Sequence, residues 1–180
     1  MSRAGKAARR PAAFLDRDGV INVDHGYTYR PNDLIFTPTA VEAIKAFNRA
    51  GYYVLIITNQ SGVARGIYTV QDVERFHQCM QHELHLRGAH IDGFYYCAFH
   101  PAGIIPEYAV DHEDRKPNPG MILRAMRDWP IEIERSVMIG DRDSDMQVAA
   151  RAGVKGLLVE ANVCDLAATA QKFLESVRKS

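Results

Sequence analysis

The chain has 180 residues, 47% apolar and 24% charged, and its 22 basic and 22 acidic side chains balance to zero net charge. That composition fits a soluble globular fold around one core and argues against disorder. Without a basic excess, nucleic acid and membrane surfaces are disfavoured as partners, and apolar runs such as Tyr52 to Ile57 are far too short to span a bilayer.

The first eleven residues, with Arg3, Lys6, Arg9 and Arg10, read as a basic flexible tail. No apolar stretch follows them to make a secretion signal, because Asp16, Arg17 and Asp18 interrupt the chain. Ala12 to Leu15 reads as a first strand. Val41, Ile44 and Phe47 recur at helical spacing, with Gly51 as the stop. Tyr52 to Ile57 reads as a buried strand that runs out at Thr58-Asn59-Gln60-Ser61-Gly62. A second helix carries Val73, Phe76, Met80 and Leu84, with Thr69 as its cap and Gly88 as its stop. A third strand lies within Gly93 to Phe99.

Residues 100 to 118 form a long loop rich in Pro, Gly and charge, the kind usually kept for function. Asn118-Pro119 predicts the start of a helix through Ile122, Leu123 and Met126. Ser136 to Ile139 predicts a fourth strand, followed by a short helix to Gly153. Gly156 to Val159 predicts a fifth strand, and Leu166 to Val177 a closing helix. The alternation predicts an α/β fold: a three-layer α/β/α, Rossmann-like parallel sheet forming one domain over residues 12–180. Cys79, Cys97 and Cys164 are odd in number and widely spaced, so no disulfide framework is expected and a cytoplasmic location is.

Parallel sheets bind ligands beyond the carboxyl ends of their strands. Asp16 and Asp18, Thr58 and Asn59, and Asp141 all fall at such ends, and Lys116 lies in a loop that can reach the same edge. Residues two apart in an extended strand share a side, so Asp16 and Asp18 are expected to face one ligand. Several carboxylates favour a hard cation, Mg²⁺ first. Thr58 offers a hydroxyl and Lys116 a positive charge to phosphate oxygens. Each fragment alone has a plainer reading as a turn, a helix cap or a solvated lysine.

Asp16-Arg17-Asp18-Gly19, Thr58, Lys116 and Gly140-Asp141 resemble, in order, the four motifs of the haloacid dehalogenase superfamily. Longer segments resemble its heptose-bisphosphate phosphatase branch. These are Phe14 to Asn22, Val23-Asp24-His25-Gly26-Tyr27, Thr58 to Gly66, Arg115-Lys116-Pro117 and Gly140-Asp141-Arg142. The resemblance implies a haloacid dehalogenase-like fold and a Mg²⁺-dependent phosphatase that removes the 7-phosphate of heptose 1,7-bisphosphate. It implies Asp16 as nucleophile, Asp18 as general acid and base, and Thr58 and Lys116 as phosphoryl ligands. Mg²⁺ would be held by Asp16, the Asp18 carbonyl and Asp141. The same resemblance assigns Asp24, His25, Gly26, Tyr27, Asn59, Gln60, Ser61, Arg115 and Arg142 to the substrate. The implied partner is a small sugar phosphate, with no nucleic acid and no membrane, and a monomer is expected.

The interval from Asp18 to Thr58 must hold a loop, a helix and a strand, so no large cap domain fits there. Loops near residues 23–37, 61–68 and 98–115 are expected to roof the site. A structural zinc site usual in this branch is not kept. Cys97 remains, but the other ligand places hold Phe99, His112 and Asp114. Zinc is therefore not expected, with a rearranged set of Cys97, His100, His112 and Asp114 as the alternative. For activity, histidinol-phosphate or another small phosphate ester, and a nucleic-acid end, stay open as rival substrates, as does a non-catalytic binding module.

Overall fold

The computed structural model describes residues 8–179. Five parallel strands form one sheet in the order β3-β2-β1-β4-β5. They are β1 (Ala12–Leu15), β2 (Tyr53–Asn59), β3 (Gly93–Cys97), β4 (Val137–Gly140) and β5 (Lys155–Leu158). Parallel neighbours need crossovers, and four helices supply them: α1 (Ala40–Arg49), α2 (Val70–Leu86), α3 (Gly120–Asp128) and α4 (Asp143–Ala152); α5 (Leu166–Arg178) follows β5. The three-layer α/β/α architecture expected from the sequence is present. Single 3₁₀ turns at Pro31–Asp33 and Ile133–Arg135 were not foreseen.

Strand alternation sorts the core into two layers. Ala13, Leu15, Val54, Ile56, Val137 and Ile139 face α1, α2 and α5, where Ile44, Phe47, Phe76 and Phe173 pack. Ala12, Phe14, Leu55, Ile57 and Met138 face α3 and α4, where Met121, Ile122, Ala125 and Val148 pack. β1 is fully buried because β2 and β4 flank it in register, with Leu15 opposite both Ile56 and Ile139. The chain winds from β1 out to β3, then returns to the other side of β1 for β4. The strand order thus reverses beside β1, where open α/β sheets form their ligand crevice.

Several boundaries differ from the sequence reading. β2 extends through Thr58 and Asn59, because both still pair with β3, at Tyr96 and Cys97. α3 starts at Gly120 rather than at Asn118-Pro119, since the Asn118 side chain donates to His112 O at 3.2 Å instead of capping the helix. Thr69 does cap α2, in a reciprocal arrangement with Asp72. Residues 1–7 of the expected tail lie outside the described residues. Arg10 and Pro11 belong to the body instead. The Arg10 backbone donates to Pro130 O at 3.0 Å, its Nε donates to Gly51 O at 2.7 Å, and Pro11 is buried.

Candidate active site

Asp16 leaves the end of β1, its backbone still donating to Ile139 O at 2.9 Å. The strand has ended, so strand alternation is not what brings Asp16 and Asp18 together. A tight loop does: the Arg17 carbonyl accepts from the backbones of Val20, Ile21 and Asn22. Gly19 completes that loop at φ 84°, and a Cβ there would meet Asp141 Oδ2 at 2.7 Å, so glycine serves both the turn and the close approach.

Lys116 supplies the buried cation. Its Nζ lies 2.9 Å from Asp16 Oδ1 and 2.6 Å from Asp145 Oδ1, and it donates to Ile57 O at 3.0 Å. Asn59 fixes the lysine backbone from both sides, donating to Lys116 O at 3.2 Å and accepting from Lys116 N at 3.0 Å. Burial pushes the Asp16 carboxyl up to about 7, with Lys116 pulling it down and Asp145 and Asp18 pushing the same way as burial. For Lys116, burial pulls the other way but Asp16 and Asp145 outweigh it, holding the ammonium above its ordinary value. Burial likewise raises Asp141, with Arg142 opposing and Asp145 assisting.

Two carboxylates thus hold Lys116, and Asp141 lies beside them. Ligand oxygens of Asp16, Asp141 and Asp145 all lie within 4.8 Å of one another, and Asp141 Oδ1 is buried with no hydrogen-bond partner. An unpaired buried oxygen in a hard, all-oxygen set is what a Mg²⁺ site provides. The residues fit that ion. Asp145 is fully buried, at 0% exposure, and had not been singled out from the sequence. No local signal marks it: in the first turn of α4 its Oδ2 accepts from Arg142 N at 3.1 Å like an ordinary helix-start acid, while its Oδ1 is engaged by the distant Lys116. Gly140 makes room for it, since a Cβ there would fall 2.3 Å from Asp145 Cβ. The Asp18 side chain lies outside this cluster and is engaged with Arg17, Asn22 and Gln60.

Above these acids opens a cleft of about 460 Å³. Of the residues that the sequence reading assigned to catalysis or substrate, Asp16, Asp18, Asp24, Gly26, Tyr27, Thr58, Asn59, Ser61, Arg115, Lys116 and Arg142 line it. Two expected substrate residues do not. His25 is exposed and is not among the lining residues. Gln60 is buried at 1% exposure, where its Nε2 donates to Asp18 Oδ2 and Thr58 Oγ1, both at 2.9 Å. Gln60 is therefore a brace beneath the cleft.

Arg65, Tyr68, His100 and Ser144 also line the cleft and were missed. Arg65 Nη2 lies 3.2 Å from His100 Nε2, and Arg65 Nε is buried without a partner. Burial, then Arg115 and Arg65, keep the His100 pKa below its ordinary value. Nothing in the sequence joined residues 65, 100 and 115; the long loop does, through backbone bonds from Ile104 and Ile105 to Ala64 O.

The same loop holds the residues of the rearranged zinc alternative, and they are differently engaged. The His112 ring stacks on Phe99 at 4.2 Å, and Asp114 pairs with Arg124 at 2.6 Å. His100 faces Arg65, and Cys97 Sγ contacts Phe99 O at 3.8 Å. Among the described residues, Asp16, Asp141 and Asp145 are the only group of three or more such side chains close enough to hold a metal.

A HAD-hydrolase-like family model matches residues 114–178. The D-glycero-beta-D-manno-heptose-1,7-bisphosphate 7-phosphatase of Rhodopseudomonas palustris is 48% identical over 160 residues, 89% of either chain. The chain belongs to the haloacid dehalogenase superfamily, in its heptose-bisphosphate phosphatase branch. A second relative in this branch, the D-glycero-alpha-D-manno-heptose-1,7-bisphosphate 7-phosphatase of Burkholderia mallei, is 41% identical over 86% of this chain and 80% of its own. The D,D-heptose 1,7-bisphosphate phosphatase of B. bronchiseptica, solved with magnesium and phosphate, superposes with a TM-score of 0.80. It is 30% identical and covers 92% of this chain and 99% of its own. This haloacid dehalogenase member is accordingly a phosphatase, and Mg²⁺ is its cofactor.

Proposed function

We propose that this phosphatase hydrolyses the 7-phosphate of D-glycero-D-manno-heptose 1,7-bisphosphate. The observation that carries the reading is that Lys116, Arg65 and Arg115 all line one cleft. Lys116 and the carboxylate cluster form the floor. Arg65 and Arg115 form a cationic wall, with the His100 ring against Arg65. A sugar with one phosphate to be transferred and another to be held fits that pair. The names of the relatives from Rhodopseudomonas palustris and Burkholderia mallei support the same substrate.

In this reading Asp16 attacks phosphorus. The Asp16 oxygen–phosphorus bond forms as the bond from phosphorus to the sugar oxygen breaks, and Asp18 gives that oxygen its proton. Asp18 then takes a proton from water as the water attacks the aspartyl-phosphate, which frees inorganic phosphate and restores Asp16. Thr58 and Lys116 hold the phosphoryl oxygens throughout, and Lys116 keeps Asp16 oriented through the 2.9 Å contact. Asp16, Asp141 and the Asp18 carbonyl would hold Mg²⁺, with Asp145 in the same cluster, and the ion would supply neutralisation of charge on the phosphoryl group. Asp24, Gly26, Tyr27, Asn59 and Ser61 face the sugar. Arg115, Arg65 and His100 take the second phosphate, and Arg142, now 3.2 Å from Asp24, orders the sugar loop.

The enzyme is proposed to act as a cytoplasmic monomer in heptose and lipopolysaccharide-core precursor synthesis. Its free cysteines Cys79, Cys97 and Cys164 support a reducing compartment. Among the described residues no helix is long and apolar enough to cross a membrane. The test is phosphate release from both anomers of the heptose bisphosphate, from heptose 7-phosphate and from histidinol phosphate. The bisphosphates should give the highest kcat/KM and leave the 1-phosphate in place. Equal turnover of either monophosphate would refute the substrate assignment.

A further inference from the structure

We propose that Arg17 is a positioning residue that sets the Asp18 carboxylate for transfer of a proton to the leaving oxygen. The proposal rests on the reading of Asp18 as general acid. Arg17 is fully buried, at 0% exposure, and is not among the residues lining the cleft. It therefore acts through other groups rather than on substrate. A buried guanidinium is costly unless its donors are all engaged, and here they converge on Asp18 and its surroundings. Nη2 lies 2.9 and 3.0 Å from the two oxygens of Asp18, and Nε donates to Oδ1 at 3.2 Å. Nη2 also lies 2.7 Å from Thr28 O, at the end of the loop that carries Asp24, Gly26 and Tyr27.

The remaining contacts fix the arginine itself. Nη1 meets His77 Nε2 at 3.2 Å, and the guanidinium lies 4.6 Å over the Phe76 ring, both from α2. Nη2 is 3.2 Å from Gln60 Oε1, which also accepts from the Tyr68 hydroxyl at 2.8 Å. Gln60 in turn braces Asp18 and Thr58. The acid, Thr58 and the sugar loop are thereby referred to one planar fork that is itself held against α2. A lysine keeps the charge but cannot reproduce the fork. A purely structural ion pair would stabilise the fold without any bearing on which leaving groups the enzyme handles.

That difference supplies the test. A sugar alkoxide needs a proton to leave, whereas p-nitrophenolate does not. Wild type, Arg17→Lys, Asp18→Asn and the double variant would be assayed on heptose bisphosphate and on p-nitrophenyl phosphate, with circular dichroism and thermal melts to check folding. Asp18→Asn should lose about 10²- to 10⁴-fold in kcat on the sugar substrate and far less on the nitrophenyl ester. Arg17→Lys should lose about tenfold or more on the sugar substrate, about threefold or less on the nitrophenyl ester, and leave both KM values within about twofold. The double variant should be no slower on the sugar than Asp18→Asn alone.

Equal losses on both substrates, or no loss on the sugar, would overturn the role given to Arg17, as would fully additive losses in the double variant. Equal losses in Asp18→Asn itself would instead overturn the general-acid reading on which the proposal stands. Arg17→Gln, which buries no charge, repeats the comparison should the lysine variant fail to fold.

Discussion

Stability should fall in mild acid through one buried ring, His77. The side chain is 5% exposed, stacks on Phe94 with centroids 4.5 Å apart, and meets Arg17 Nη1 at 3.2 Å. Burial, and then the Arg17 charge, hold its pKa well below the ordinary histidine value of 6.5. The folded ring stays neutral while the unfolded ring takes a proton below about pH 6.5. A folded pKa that is depressed for a base gives stability that is complete above the unfolded pKa and lost as pH falls. Each pH unit below 6.5 costs about 1.4 kcal/mol, so between about pH 7.5 and pH 5 the loss sums to about 2 kcal/mol. His77→Gln keeps an acceptor for Arg17 and does not titrate. Its lost ring stacking costs about 1 kcal/mol at every pH. Urea unfolding of both proteins across this range isolates the histidine, because every other titrating group cancels in the difference. Wild type should lose its advantage over the variant, and then fall behind it, as pH drops. Parallel stability curves would refute the reasoning.

Asp16→Asn should abolish turnover while leaving the thermal melt cooperative, and near-normal phosphate release would remove Asp16 as nucleophile. Activity should vanish on chelation, return with Mg²⁺ and be inhibited by Ca²⁺, whose larger size and looser coordination allow Asp16 a non-attacking geometry; rate assays with each ion check this. Gly140→Ala should destabilise the protein by about 1–3 kcal/mol through overpacking against Asp145, and calorimetry together with a loss of activity would register it. The 97–116 loop should fold without zinc, since only one thiolate is present where structural sites use at least two; elemental analysis of protein purified without chelator should find no tightly held zinc.

How legible the molecule was in its sequence varied with the kind of force involved. β1 was read to the residue because an apolar run stops abruptly at Asp16, and the start of α2 because Thr69 is a local capping signal. β2 was cut short because Thr58 and Asn59 look like loop residues, whereas their backbones are claimed by a neighbouring strand. The acids and Lys116 were found because polar residues at strand ends have no packing reason to be there. The surroundings of Asp145 and Gln60 were not legible for one reason: both are polar, buried and engaged with other protein groups, and burial by distant segments leaves no local trace. Arg65 and His100 meet only because residues 104 and 105 tie the long loop to Ala64.

The position of β1 bears on how the chain emerges from the ribosome. β1 is made first, yet it lies at the centre of the sheet, and its second neighbour, β4, comes only at Val137–Gly140. Until then one side of the nascent sheet carries an unpaired apolar strand edge, the kind that invites wrong pairing. Asp16 meanwhile lacks Asp141 and Asp145, and before Lys116 is synthesised it lacks its counter-charge as well. The loop bearing Asp24 waits later still, because its backbone is anchored by Asn162 Oδ1 at 2.7 Å. Translation therefore finishes the scaffold and the chemistry almost together, and a ribosome stalled before Asn162 should hold an inert chain that depends on chaperones.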